Sequence, residues 1–308
     1  MVSSRDVSAL WHEWELDDVG SWSQLQERLY RLTQRYQDHR LVWRGVQVAS
    51  WGLQSSLYRT LISDDGTPPT EDQMVEAEKV LLERARKDWR FDNLPALELF
   101  AQVQHFGGPT RLIDVTENPL IATWFACELS RERETNDADG RVFALLAPKE
   151  RDIRLNSNWH GYDPLWHSLH DDRIRSVKKW GTGDGRRYWR PPIYHSRIAA
   201  QSAGFLLDGV PIEAPNSDFT RHDTRSRERA NVAMMRQLAS IPLKLTKIKD
   251  GNLPLTGFHV FTFRISSGAK KEIREHLEDR YAIKTSTVYP DLFGFAKHFG
   301  EGYVASYL

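Results

Sequence analysis

Residues 104–126 read QHFGGPTRLIDVTENPLIATWFA, and this stretch decides the fold. Gly107-Gly108-Pro109 stops whatever helix precedes it. The run Arg111 to Thr116 then alternates as a strand: Leu112, Asp114 and Thr116 share one face, and Arg111, Ile113 and Val115 the other. Asn118 before Pro119 starts a helix over 119–131, because proline in a first turn sacrifices no hydrogen bond. Polar groups (His105, Arg111, Asp114 and Thr116) gather where the strand ends, beside a segment otherwise built for a core. That combination marks a candidate site.

Upstream, Ser21 with Gln24 gives a capping-box signature before Trp22, Leu25, Leu29, Leu32 and Tyr36, predicting an amphipathic helix. Leu41-Val42-Trp43-Arg44-Gly45 reads as a short strand ending in a polar turn. Thr70 and Gln73 cap a second helix with an expected buried stripe of Met74, Ala77, Leu81, Ala85 and Trp89. A third helix spans 94–106.

Downstream, Thr135 to Gly140 reads as a polar loop and Arg141 to Ala147 as a strand. Residues from Glu150 to about Pro192 are irregular and rich in Trp, Gly and Arg. Strands are expected near Ile198, at Gly204–Leu207 and at Phe258–Ile265, where alternation is clean. Helices around 268–281 and 290–299 follow, the second opened by Pro290. Early helices with later strands predict an α+β fold, a mixed sheet with helices packed on it. The expected organisation is an N-terminal helical segment over 1–40 and a main domain over 41–308, with an irregular basic insertion at about 150–195.

The chain has 308 residues, 40% hydrophobic and 27% charged, as ordinary globular proteins have. No apolar run reaches the roughly 18 residues of a membrane span, so no membrane role is expected. The N-terminal MVSSRDVSALWHEWELDD lacks a signal-peptide pattern, and Cys127 is the single cysteine. A reducing, cytoplasmic setting is expected, with Cys127 as inert core. The zero net charge conceals an asymmetry: Arg173 to Lys249 holds sixteen Lys and Arg against six Asp and Glu. Such a segment suits an anionic partner, the protein's own acidic half, or a solvated face. His160, His167 and His170 precede two aspartates, but only His167 and His170 share a helical face, and no metal is expected. Gly181-Thr-Gly-Asp-Gly185 lacks the strand and Lys-Ser/Thr of a triphosphate loop and reads as a linker.

Four blocks, Trp43-Arg44-Gly45, residues 104–126, SRIAAQSAGF (196–205) and VYPDLFGFAKHF (288–299), resemble the FRG-domain family in order, across about residues 40–300. Trp43 stands where that family usually has Phe, and Ser202-Ala203 separates Gln201 from Gly204 where one residue is usual. A looser resemblance in layout links the chain to ADP-ribosyltransferases, which implies a split sheet, NAD as substrate, and an effector role in a toxin or bacterial phage-defence context. It implies that Arg44 sits on the NAD diphosphate and that Asp114 and Thr116 line the nicotinamide pocket.

Breaking the nicotinamide–ribose bond calls for a guanidinium fork on phosphate, a carboxylate near the developing cation and an aromatic wall. Arg44 and Arg111 supply forks, Asp114 the carboxylate, and Trp43, Phe106 or Trp124 the wall. His105 is a candidate acid or base, and Gln201 either binds a ribose hydroxyl or satisfies a buried carbonyl. The transferases' late glutamate has no counterpart identified here. Each of these residues also has a plain structural reading, as ion pair or cap. Two other functions stay open: a nucleic-acid module in which residues 173–249 track phosphates while Trp180, Tyr188 and Trp189 stack on bases, and a protein-interaction domain.

Overall fold

A computed structural model describes residues 9–130, 133–155, 157–213, 231–246 and 259–300. The start of the chain and parts of the basic segment, residues 214–230 and 247–249, lie outside the described residues.

Among the described residues, eight strands form one mixed sheet: β1 (Glu15–Val19), β2 (Leu41–Val46), β3 (Ile113–Thr116), β4 (Gly140–Leu146), β5 (Arg187–Trp189), β6 (Ala203–Leu207), β7 (Lys244–Leu245) and β8 (His259–Ile265). Their order is β1-β8-β4-β2-β3-β6-β5, with β7 also on β8. The pairs β1–β8 and β7–β8 are parallel and the others antiparallel. The fold is therefore α+β, as the sequence predicts.

Alternation assigns the two faces. Trp43, Val142, Ala144, Phe261 and Phe263 point into one core with Leu25, Leu29, Ile121, Trp124 and Ile273 from the helices Trp22–Arg35, Pro119–Cys127 and Ser267–Tyr281. Val42, Ile113, Val115, Phe143 and Leu206 point the other way, with Met235 and Leu238. A third core, on the β5–β6 end, gathers Leu97, Phe100, Leu112, Trp166, Trp180, Trp189 and Phe205.

Gly45 explains how closely the helix Pro119–Cys127 approaches the sheet. A Cβ there would stand 1.8 Å from the Ala122 carbonyl oxygen and 2.6 Å from the Ala126 nitrogen. The helix begins where Asn118 Oδ1 accepts from Leu120 N (2.9 Å). It stops at Cys127, earlier than residue 131, where Glu128 leaves the helical region (φ −55°, ψ 140°), and Arg274 Nη1 donates to the Cys127 carbonyl at 2.6 Å, satisfying an orphan acceptor. Cys127 is buried, and burial pushes its thiol pKa up to about 12, so it is inert at neutral pH.

Several expectations are corrected. The segment near Ile198 is the short helix Ser196–Ala200, and Thr135 lies in the short helix Arg133–Asp137. Of the expected stripe on the helix Glu71–Lys87, Met74 is buried and Ala77, Leu81 and Ala85 pack partly buried against the cores, but Trp89 is 65% exposed, and Glu71, Val75, Glu78 and Leu82 are buried as well. Its buried face carries two glutamates because Arg111 lies opposite. The third helix, Ala96–His105, ends before Gly107, whose φ of +87° suits glycine. The acidic β1 carries no recognisable pattern and was not expected as a strand.

Candidate functional site

The ladder between β2 and β3 consists of one registered pair, Trp43 with Thr116. Beside it Arg44 Nη1 donates to the Asp114 carbonyl oxygen at 2.6 Å, so a side chain spans the strands where backbone pairing gives out. The same Nη1 lies 3.5 Å from Asp114 Oδ2. On this sheet face, between the first and third cores, opens a cavity of about 270 Å³. Its floor is Trp43, Asp114, Thr116, Ala203 and Phe205, and its walls include Arg44, Gln104, His105, Phe125, His195, Arg197 and Tyr289.

Asp114 is held by a neutral amide beside its 3.5 Å ion pair with Arg44. Gln104 Nε2 donates to its Oδ1 at 2.6 Å, and Gln104 Oε1 in turn accepts from Thr110 Oγ1, which fixes the amide's orientation. The Asp114 side chain stays 61% exposed. A carboxylate and a guanidinium therefore face one solvent-reachable volume, both positioned largely by neutral groups.

Thr116 and Gln201 line the cavity, but Thr116 Oγ1 and Gln201 Nε2 are already used. Thr116 Oγ1 donates to the Gln201 carbonyl (2.6 Å) and accepts from Asn118 N (3.0 Å). Gln201 Nε2 donates to the Val288 carbonyl at 3.0 Å. Both fix the junction of β3, β6 and the C-terminal segment.

His105 stacks on His195, ring centroids 4.0 Å apart and planes within 4°. Burial, then the nearby charges of Arg197 and His195, lowers its pKa to about 4. At neutral pH it is an uncharged imidazole, and its Nε2 stays 3.8 Å from Asp291 Oδ2, beyond hydrogen-bond reach. Arg197 holds Asp291 with two bonds, Nε to Oδ2 at 3.1 Å and Nη2 to Oδ1 at 2.8 Å.

Arg111 does not join this group. It is 3% exposed and lies between Glu71, at 2.8 Å from Nη1, and Glu78, which accepts from Nε. Each glutamate has further donors: Trp180 Nε1 (3.0 Å) and Val210 N (2.7 Å) for Glu71, Trp166 Nε1 (2.9 Å) and His167 (3.0 Å) for Glu78. Burial alone would lower the Arg111 pKa, but the two carboxylates outweigh it and hold the group above its ordinary value. The expectation that Arg111 offers a second phosphate fork is corrected, since no face of it reaches the cavity. Of the proposed aromatic walls, Trp43 lines the cavity, whereas Trp124 is sealed in the first core and Phe106 lies outside the lining.

The base-stacking reading is corrected too. Trp180, Tyr188 and Trp189 are buried, and Arg175 and Arg186 of the same basic segment are core residues. Among the described residues no cluster of three or more His, Cys, Asp or Glu is placed to hold a metal. His160 and His167 sit against Glu98 and Glu78. No helix among the described residues is long and apolar enough to cross a membrane.

Sequence reasoning passed over Gln104, His195, Arg197, Tyr289 and Asp291 as site residues. Gln104, Arg197, Tyr289 and Asp291 stand inside the quoted blocks, which was the available signal; His195 had none.

Residues 39–135 match the family model of the FRG domain. No curated protein and no solved structure gives a significant match. The blocks 196–205 and 288–299 lie outside the matched stretch, yet the fold brings Arg197, Gln201 and Tyr289 to the same cavity as Arg44 and Asp114.

Proposed function

We propose that this cavity binds a nucleotide, with NAD as the ligand whose parts fit it best, and that the protein transfers or hydrolytically removes ADP-ribose. The observation that carries the reading is the Arg44–Asp114 arrangement: a cation and a carboxylate share one open cavity and are oriented by a backbone carbonyl and a glutamine amide. An effector role in toxin or phage-defence settings rests on the family resemblance alone.

In this reading Arg44 engages a phosphate oxygen, which suits a planar multi-donor group better than a lysine. Nicotinamide leaves with the electrons of the bond to ribose C1, and positive charge develops on the ribose. Asp114 stabilises that charge, an electrostatic effect that requires the carboxylate to be in place beforehand. Phe125 and Tyr289 give the nicotinamide apolar walls and limit water. An incoming hydroxyl, from water or an acceptor, forms the new bond to C1 and releases its proton. Neutral His105 offers that hydroxyl a ring nitrogen as hydrogen-bond acceptor.

The test is incubation with NAD labelled in nicotinamide. Wild-type protein releases free nicotinamide, and Asp114→Asn, which keeps the oxygen that Gln104 bonds, loses at least about tenfold in rate. Absence of nicotinamide release from wild type, with and without candidate acceptor proteins, contradicts the reading.

A further inference from the structure

Two phenylalanines that the nucleotide reading leaves unused meet just outside the cavity. Phe106 follows the helix Ala96–His105, and Phe293 lies in the helix Leu292–Gly300. Their ring centroids are 5.7 Å apart at 79°, although 187 residues separate them in the chain. Packing does not explain them, because Phe106 is 59% exposed and Phe293 39%. They are continuous with the cavity wall: Phe106 lies 4.8 Å from the His105 ring and 5.8 Å from that of His195, both cavity residues. Arg197, a cavity residue too, stands 5.7 Å from the Phe293 ring.

The cavity's size gives this cluster a purpose. About 270 Å³ falls below the roughly 300–1,000 Å³ of pockets that enclose drug-sized ligands. One nucleoside-sized half of a dinucleotide fills it, and the other half must continue over the rim. Arg44 on the cavity wall supplies a guanidinium for the diphosphate, and Arg197, paired with Asp291, lies between the cavity lining and the Phe293 ring. An exposed aromatic pair beyond a cation is the arrangement on which bases stack.

We propose that Phe106, Phe293 and His195 form an outer stacking platform for the second base of a dinucleotide whose first half occupies the cavity. This assignment rests on the nucleotide reading above and adds to it the ligand's second contact and a preference for dinucleotides over mononucleotides.

Calorimetric titration with NAD and with nicotinamide mononucleotide, which lacks the second base, tests it. Wild type binds NAD more tightly than the mononucleotide. Phe106→Ala and Phe293→Ala each weaken NAD by about 5- to 150-fold and leave the mononucleotide within twofold. Phe106→Trp, which keeps a stacking surface, retains NAD affinity, and unchanged melting temperatures show that these exposed positions leave the fold intact. Equal wild-type affinity for the two ligands, or equal weakening of both in the alanine variants, overturns the platform while the nucleotide reading stands. Failure of wild type to bind either ligand overturns both.

Discussion

Arg111 and Asp114 are three residues apart, yet they belong to opposite kinds of environment. Arg111 is closed in by Glu71 and Glu78, and those carboxylates are closed in by two indole N–H groups, a backbone N–H and His167. Asp114 is held by an amide and faces Arg44 across 3.5 Å, with most of its side chain in solvent. Both are charged groups in one short sequence block, and what separates them is how fully their partners use them. A saturated, buried charge fixes the fold, whereas a charge oriented by neutral groups and open to a cavity is free to meet a ligand.

The sharpest way to break this contrast is to remove the buried partner. Arg111→Ala leaves Glu78 buried without its guanidinium and Glu71 with only Arg175, 3.6 Å away, and a loss of about 3–5 kcal/mol is expected from urea unfolding. A loss below about 1 kcal/mol would show that the cluster is not closed as described. Next comes Gly45→Ala, whose new methyl meets the backbone of the helix Pro119–Cys127. Overpacking against backbone that cannot swing aside costs about 1–3 kcal/mol, visible as a lowered denaturation midpoint.

The open region should declare itself through pH. Folding lowers the His105 pKa from 6.5 to about 4, so between those values the unfolded chain binds more protons and stability rises with pH. Acidification from pH 7 therefore removes stability across that window, and His105→Gln flattens this part of the curve. A pH profile identical in wild type and variant would contradict the neutral imidazole. The smallest stability change is expected at Asp114→Asn, within about 0.5 kcal/mol, because the side chain is largely exposed. If that variant unfolds as readily as Arg111→Ala, the two charges do not differ in kind.

Much of the fold was legible wherever a local rule decided it. The capping box at Thr70 and Gln73 forms with both of its bonds, and Pro119 opens its helix behind the Asn118 cap. Asp114 and Thr116 share the cavity floor as strand alternation predicts, because β3 pairs on both sides and its faces are fixed. The misses have a common cause in tertiary contacts that override local pattern. The glutamate-bearing face of Glu71–Lys87 looked solvent-facing until Arg111 supplied the counter-charge. β1 falls in the stretch 1–40 expected to be helical, and its strand state comes from pairing with β8, about 250 residues away. In the site, Arg44 and Asp114 were readable from their blocks. His195 was not, since only folding brings it against His105.

A crystal structure of the protein soaked in NAD tests the central claim most directly. The account predicts ligand density in the cavity over β3, with a phosphate oxygen within hydrogen-bond distance of Arg44 and the ribose against Asp114. Density for NAD at any other surface, with the space between Arg44 and Asp114 unoccupied at saturating ligand, would contradict it.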